Sequence, residues 1–582
     1  MLFRSQSNQP GSFGFSSATT GDVNASFLLG YLSSFNQGSG QFINNRNKFL
    51  GFYGEDSWKA TRKLTLNYGL RYEPSFPWHE KFNRIGQFNP AALAAGRVSV
   101  VYPNAPPGLL FPGDAGVPKD GIYGSYKDFM PRLGFAYDVF GDGKTAIRGA
   151  GGMFFDTRQD GVINNAFSNV QPFVTSASQT YQPGYYNGLT VGSFANPYSA
   201  STHPFANPFP AVQPPPSTTA FGPNAWITFD PSGRFPVPVT YVWNIALEQQ
   251  FTSSLASRIA YVGSHGSHNF TSIDISPTFN SITNAGEGGI AANVGKRIYG
   301  VQNSAYLGNQ IAETEMEGNT HYNSLQGSLQ QRLNHGLSFF LNYTWSHATD
   351  DLPVNTGVTS AGAGNSYVIP LYEPNYKRLD HGASDFDHRN VISLAYVWST
   401  PLMHDGPGAV KFILNGWQTT GLFQHRTGDP LTVTAGGNNS GTGLGRDRAV
   451  PTGIAPYGQT ACATATTACR GWVLPAAYIA NTPANPTGPN PALTYGSVIK
   501  NSLVGPGYTD WDTALQRYFK ITERVNLQFR AEYFNVLNHT NFGDPALSVA
   551  TPGSFGRITG TAGNNGSTND PRIAQLALKL AF

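Results

Sequence analysis

Along much of this chain apolar and polar residues alternate one by one, the spacing of a strand with two unlike faces. In "KLTLNYGLRYE", Leu64, Leu66, Tyr68, Leu70 and Tyr72 share one face, and Thr65, Asn67, Arg71 and Glu73 the other. "GLSFFLNYTWSHA" sets Leu337, Phe339, Leu341, Tyr343 and Trp345 against Ser338, Asn342, Thr344 and Ser346. "RVNLQFRAEYF" opposes Val525, Leu527, Phe529, Ala531 and Tyr533 to Asn526, Gln528, Arg530 and Glu532. "HRNVISLAYVWS" and the closing "RIAQLALKLAF" follow the same rule, the latter with Ala574, Leu576, Leu578, Leu580 and Phe582 on one side.

These strands come in pairs joined by short turns: "ATRK" (60–63), "GDGK" (141–144), "TSS" (252–254), "NHG" (334–336), "TER" (522–524) and a longer link near 400–411. Between the pairs lie long segments rich in Gly, Pro, Asn, Ser and aromatics, roughly 75–130, 157–236, 264–320, 348–386, 426–507 and 538–571. Short and long connections that alternate place all turns at one end of an up-and-down antiparallel sheet and all loops at the other. Soluble sandwiches do not normally carry six such long connections at one end. The pattern predicts an all-β, antiparallel up-and-down transmembrane β-barrel of about fourteen strands, apolar residues to lipid and polar residues to the lumen. A bilayer is crossed by about 9–11 strand residues, and the quoted segments reach that length. The last strand is expected to pair with an earlier one, because an open edge in hydrocarbon leaves backbone groups without partners.

Composition agrees. Charged residues are 12 % and aromatics 13 %, with 66 glycines among 582 residues. The aromatic content argues against general disorder, so only the loops are expected to be mobile. A formal charge of +3 gives no electrostatic reason to expect nucleic acid. The start, "MLFRSQSNQPGSFGFSS", has no apolar core of a secretory signal, which taken alone predicts a cytoplasmic protein. The two cysteines of "CATATTAC", Cys462 and Cys469, read as a small-loop disulfide in an oxidising compartment rather than a metal site.

Several segments have the outline of chemistry without its substance. "GDGKT" has Asp138 where a phosphate loop needs glycine, and reads as a hairpin turn. "GAGGMF" lacks the third glycine of a dinucleotide fingerprint. "GSHGSHNF" offers His265 and His268 as an extracellular metal-capture pair, with solvent-facing loop histidines as the plainer reading. "SDFDHRN" offers Asp385, Asp387 and His388, better read as structural hydrogen bonding at a strand entry. No catalytic constellation and no cofactor site emerges, so an enzyme is not expected. Arg71, Glu73, Arg148, Glu248, Arg258, Arg530 and Glu532 are expected to face the lumen as a wall of mixed sign, paired with one another or with a plug.

The segments "DVNASFLLGYLSSF", "FYGEDSWKATRKLTLNYGLRYE", "YVGSHG", "LNYTWSHATDD", "GWQTTGLFQHRTGDPLTV", "FRAEYFNVLNHTNFG" and "RIAQLALKLAF" resemble the barrel region of TonB-dependent outer-membrane transporters, in the Oar-like branch. The resemblance runs in order over nearly the whole chain. It implies that residues 46–582 are the C-terminal portion of such a barrel, and that 1–45 hold a barrel strand and an extracellular loop. It also implies an insertion signal for the barrel assembly machinery at Leu576, Leu578, Leu580 and Phe582. Family members carry a signal peptide, a TonB box and a plug ahead of the barrel, none of which is visible before residue 46. The expectation is a truncated transporter from a Gram-negative outer membrane, with a complete smaller barrel of about fourteen strands as the alternative. For the intact protein the resemblance implies that a siderophore, saccharide or peptide-like ligand binds the loops, and that TonB with ExbB and ExbD drives uptake through the plug. The rival readings are a passive porin-like pore, a surface adhesin or secretion-linked barrel, and a soluble carbohydrate-binding β-protein.

Overall fold

A computed structural model describes residues 11–18, 20–38, 44–156, 172–173, 176–180, 194, 197–198, 216–221, 226–278, 296–306, 310–353, 367–371, 375–400, 407–440, 443–444, 447–458, 470–481, 495–562 and 571–582. Thirteen of the described strands form one continuous antiparallel path in which each pairs with its neighbour in sequence. They are β1 (Phe52–Lys59), β2 (Leu64–Tyr72), β3 (Phe129–Asp138), β4 (Thr145–Phe155), β5 (Val239–Gln250), β6 (Leu255–Asp274) and β7 (Ile311–Asn334). The path continues through β8 (Leu337–Asp350), β9 (Asn390–Ser399), β10 (Trp417–Arg426), β11 (Tyr508–Lys520), β12 (Asn526–Phe534) and β13 (Ile573–Ala581). The expected short turns all fall at one end of this sheet. The turn "GDGK" is closed by Asp138, whose carboxylate accepts from the amides of Gly141 (2.8 Å) and Gly143 (2.9 Å), both in left-handed backbone.

β6 and β7, with 20 and 24 residues, run well into the segment expected to be loop from 264 to 320. The last strand pairs with β12, while its other edge and the outer edge of β1 carry no partner among the described residues. Residues 12–14 and 34–38 lie outside this wall, in a separate three-stranded sheet with Ser176–Thr180.

Register shows why the alternation holds. Leu66 pairs with Trp58 and Phe135, and the row continues through Gly149, Ile245, Tyr261, Leu325 and Trp345. A parallel row runs Leu341–Leu394–Phe423–Trp511, and a third joins Phe519, Leu527 and Leu580. Directly paired residues share a face, so these rows make one apolar surface. Three glycines within it are each roofed by the ring opposite: Phe135 over Gly149, Trp243 over Gly263, and Tyr396 over Gly421. A Cβ at any of the three would enter the ring, which explains glycine where β-propensity disfavours it.

The alternation is broken in places, as two examples show. Asp56 of the edge strand shares the apolar face with Trp58 and accepts from the Tyr68 hydroxyl at 2.9 Å. On the other face Phe340, Ala395 and Leu422 meet as an apolar row.

The wall has almost no core of its own. The buried hydrophobic residues collect instead at the long-connection end, where the connections fold on one another as a cap. One cluster joins Phe88, Leu93, Tyr102, Leu109 and Phe111 to Phe173, Tyr306 and Ile311. Another gathers Val433, Ala449, Val473, Tyr478, Val498, Leu503 and Phe555. Mobile loops were the expectation; the described parts are packed instead. Apolar residues scattered through irregular segments supply interior contacts that no periodicity announces.

Candidate functional site

The polar face of the wall begins with small and uncharged side chains that β-strands bring into line. Gln528 Nε2 donates to Gln516 (3.2 Å), Gln516 donates to Gln418, and Gln418 Nε2 donates to Ser399 Oγ (3.2 Å), a chain of amides across β12 to β9. Several charges on this face occur in pairs. Arg148 Nε meets Glu248 at 2.9 Å, and Arg258 approaches the other oxygen of Glu248 at 3.9 Å, so one carboxylate on β5 serves cations from β4 and β6. Arg530 pairs with Glu532 on β12. Arg71 pairs with Glu73, which lies one residue past β2 and is buried. Leu576, Leu578 and Leu580 stand exposed on the apolar face of β13, with Phe582 beyond its end. Cys462 and Cys469, with their expected disulfide, lie outside the described residues.

The histidines are arranged differently from the sequence expectation. His265 stacks not with His268 but on His321 of the neighbouring strand, ring centroids 4.4 Å apart, and donates from Nδ1 to the Thr320 carbonyl (3.1 Å). Among the described residues no three His, Cys, Asp or Glu side chains are grouped to hold a metal ion. Asp387 acts as a brace: it accepts from Ala348 N (2.7 Å), Arg389 Nε (2.9 Å) and His347 Nδ1 (3.1 Å). His388 donates to the Thr427 carbonyl at 2.9 Å.

Where wall meets cap, buried ion pairs fasten the connections. Lys500 Nζ reaches Asp350 at 2.6 Å and the Leu352 carbonyl at 3.1 Å. Arg448 meets Asp380 and Arg297 meets Asp274, each at 2.7 Å. A run of carboxylates in "ETEMEG", outside the sequence expectations, lies in the part of β7 above its pairing with β8. Glu313 is buried, and Glu315 and Glu317 are half-buried. Lys377 Nζ stands 3.4 Å from Glu317, and the Tyr376 hydroxyl donates to the same carboxylate. Burial pushes the Glu313 carboxyl far above the usual range, and its hydrogen bond with Glu315 and the charges of Glu315 and Asp230 push it further. Glu315 is raised too, chiefly by burial. The signal was available, since three acids at alternate positions share one face of a strand.

A thirteen-strand meander with an apolar face, a charge-paired polar face and long connections at one end is the form of an outer-membrane barrel wall. The sequence profile of one family, described as outer membrane beta barrel domain, matches residues 1–575. The chain belongs to that family. Its place is therefore the outer membrane of a Gram-negative bacterium, with the apolar rows toward lipid. A search of curated protein sequences finds no match.

Solved structures similar to this barrel include the outer membrane transporter YddB from Escherichia coli, at 11 % identity and a TM-score of 0.40, covering 91 % of this chain and 44 % of YddB. The ferripyoverdine receptor of Pseudomonas aeruginosa gives 10 % and 0.37, with 94 % and 39 % covered. The ferric-catecholate import receptor Fiu from Escherichia coli gives 10 % and 0.35, with 94 % and 45 % covered. The chain thus spans less than half the length of each. The family match alone carries the assignment.

Proposed function

We propose that this chain is the wall and receptor cap of a TonB-dependent transporter that takes up a nutrient ligand such as a siderophore, saccharide or peptide. The observation that carries the reading is the packed cap over a polar, charge-paired wall. Folded connections rich in aromatic and amide side chains offer a binding surface for an external solute, and the wall beneath offers it a wet path. Arg71, Glu73, Arg148, Glu248, Arg258, Arg530 and Glu532 line that path, held by their mutual ion pairs against an inserted plug. The Oar-like sequence segments support the same reading.

The wall itself asks for more strands. With thirteen strands alternating in direction, β1 and β13 run the same way, and both present an unpaired edge among the described residues. Unpaired backbone is costly in hydrocarbon. An odd number of further strands between them closes an antiparallel barrel, which fits a wall that is part of a longer transporter with its plug and TonB box elsewhere in the polypeptide.

Uptake of labelled ferric siderophores, oligosaccharides and short peptides tests this in cells with and without the intact gene, each with and without functional TonB. Energised transport predicts uptake that needs both genes. Uptake that survives loss of TonB marks a passive pore, and an unchanged uptake profile on deleting the gene marks an adhesin.

A further inference from the structure

One connection at the turn end is not tight. It joins β9 to β10 and holds the helix Gly408–Leu414, "GAVKFIL". Phe412, Ile413 and Leu414 are 64, 61 and 49 % exposed, and Val410 is exposed as well. A seven-residue helix has no stability of its own in water, and one that holds its apolar side chains outward needs an apolar neighbour.

Its position identifies that neighbour. Arg517 pairs with Trp417 and Phe529, and the row ends at Leu578, so Arg517 projects from the lipid face. It is 7 % exposed and donates to the carbonyls of Ile413 (2.9 Å) and Phe412. Trp417 Nε1 donates to the same Ile413 carbonyl at 2.7 Å. The end of a helix leaves its last carbonyls without internal partners; here the wall supplies two donors from its lipid side. The Phe412 ring lies 5.9 Å from that of Phe519, another lipid-face residue. The guanidinium sits against Phe519, Phe412 and Trp417 at 4.4, 5.0 and 5.6 Å from their centroids. A cation on the lipid face is expensive unless partnered. Arg517 has carbonyls and ring faces, and it sits close to the turn that begins at Ile521.

We propose that the helix 408–414 is an interfacial anchor, folded back over the lipid side of the rim and seated in the periplasmic leaflet of the outer membrane. Val410, Ile413 and Leu414, one face of the helix by their spacing, lie among the acyl chains of its phospholipids. They extend the lipid-facing surface of Trp398, Leu515 and Leu578, all exposed on the adjoining wall. Arg517 is the positioning residue that ties the helix to the barrel. Amphipathic segments with Phe, Leu and Trp toward lipid and Lys at the boundary behave in this way; Lys411 is the one charge in the helix.

The test uses the full chain in isolated outer membranes, with Cys462→Ala and Cys469→Ala as background. Single cysteines replace Ile413, Leu325 at mid-wall, or Glu523 in a tight turn, and each is spin-labelled. Collision with oxygen is compared with collision with a water-soluble nickel chelate. The anchor predicts that position 413 favours oxygen as position 325 does, while 523 favours nickel. A nickel preference at 413 beside an oxygen preference at 325 overturns the proposal with the barrel's placement intact. A nickel preference at 325 overturns both. Arg517→Met is expected to shift 413 toward nickel and leave 325 unchanged, which also shows that the variant folds. An unmoved 413 overturns the tether.

Discussion

A phenylalanine in the cap and one in the wall face different solvents. Phe111 is 1 % exposed, its ring 4.7 Å from Tyr102 and 6.0 Å from Phe173. Phe135 is 36 % exposed on the outer surface, its ring lying over Gly149 of the neighbouring strand. The cap is built like a water-soluble domain, with apolar side chains inside and ion pairs at its seams. The wall reverses this: its apolar side chains point out, and what holds it is the ladder of backbone hydrogen bonds together with the lipid. One chain follows both rules, because the hydrophobic effect acts on whichever surface would otherwise meet water.

The sharpest way to break the comparison is inside the cap. Phe111→Ala removes a fully enclosed ring and should cost the cap about 3–5 kcal/mol, seen as faster nicking by external protease while the heat-dependent gel shift of the wall persists. A loss of that shift would show that cap and wall are one cooperative unit. At the seam, Lys500→Met leaves Asp350 buried without its cation, and a loss of about 3–5 kcal/mol is expected. Pairing it with Asp350→Leu should restore much of the loss, as read from the same protease assay.

In the wall, neighbours on one strand should respond oppositely. Ile245, half exposed on the lipid face, tolerates no charge: Ile245→Arg should cost about 2–4 kcal/mol in vesicle-bound denaturant unfolding. Asn244→Arg, one residue away on the wet face, should stay within about 0.5 kcal/mol. Equal costs would erase the distinction between the faces.

A smaller effect concerns pH. Glu313 keeps its proton in the fold up to about pH 9, whereas an unfolded glutamate loses it near the ordinary carboxylate value. Over that window the folded cap binds more protons than the unfolded one, so its stability falls as pH rises. Protease resistance should therefore decline from about pH 5 to about pH 9, and Glu313→Gln should flatten the decline. The smallest effect is expected at Arg148, whose half-exposed pair with Glu248 should be worth about 0–1 kcal/mol in an Arg148→Gln variant.

How much of this was legible beforehand follows from the same contrast. Period-two alternation fixes the wall because lipid on one side and water on the other act on every second residue. Leu66, Leu341 and Leu527 therefore stand where the sequence places them. The cap has no such rule. Phe88, Tyr102, Phe173 and Tyr306 come from stretches far apart in the chain, and only tertiary contact brings them together. The helix at 408–414 was likewise hidden, because seven residues are too few to show a period. Its apolar run sits in a link between strands, and only the contacts of Arg517 and Trp417 distinguish it from a turn. The extension of β6 and β7 into expected loop has a local cause: "ETEMEG" alternates acids with Thr and Met, a strand pattern in polar letters that resembles a loop by composition.

Everything in the wall depends on which way β8 faces. A bimane fluorophore placed in turn at cysteines replacing residues 338, 339, 341, 342, 343 and 344, with the full chain in vesicles of brominated phosphatidylcholine, measures this directly. Quenching at 339, 341 and 343 with bright emission at 338, 342 and 344 is the predicted result. Uniform quenching, or the reverse alternation, would contradict the assignment of the apolar rows to lipid.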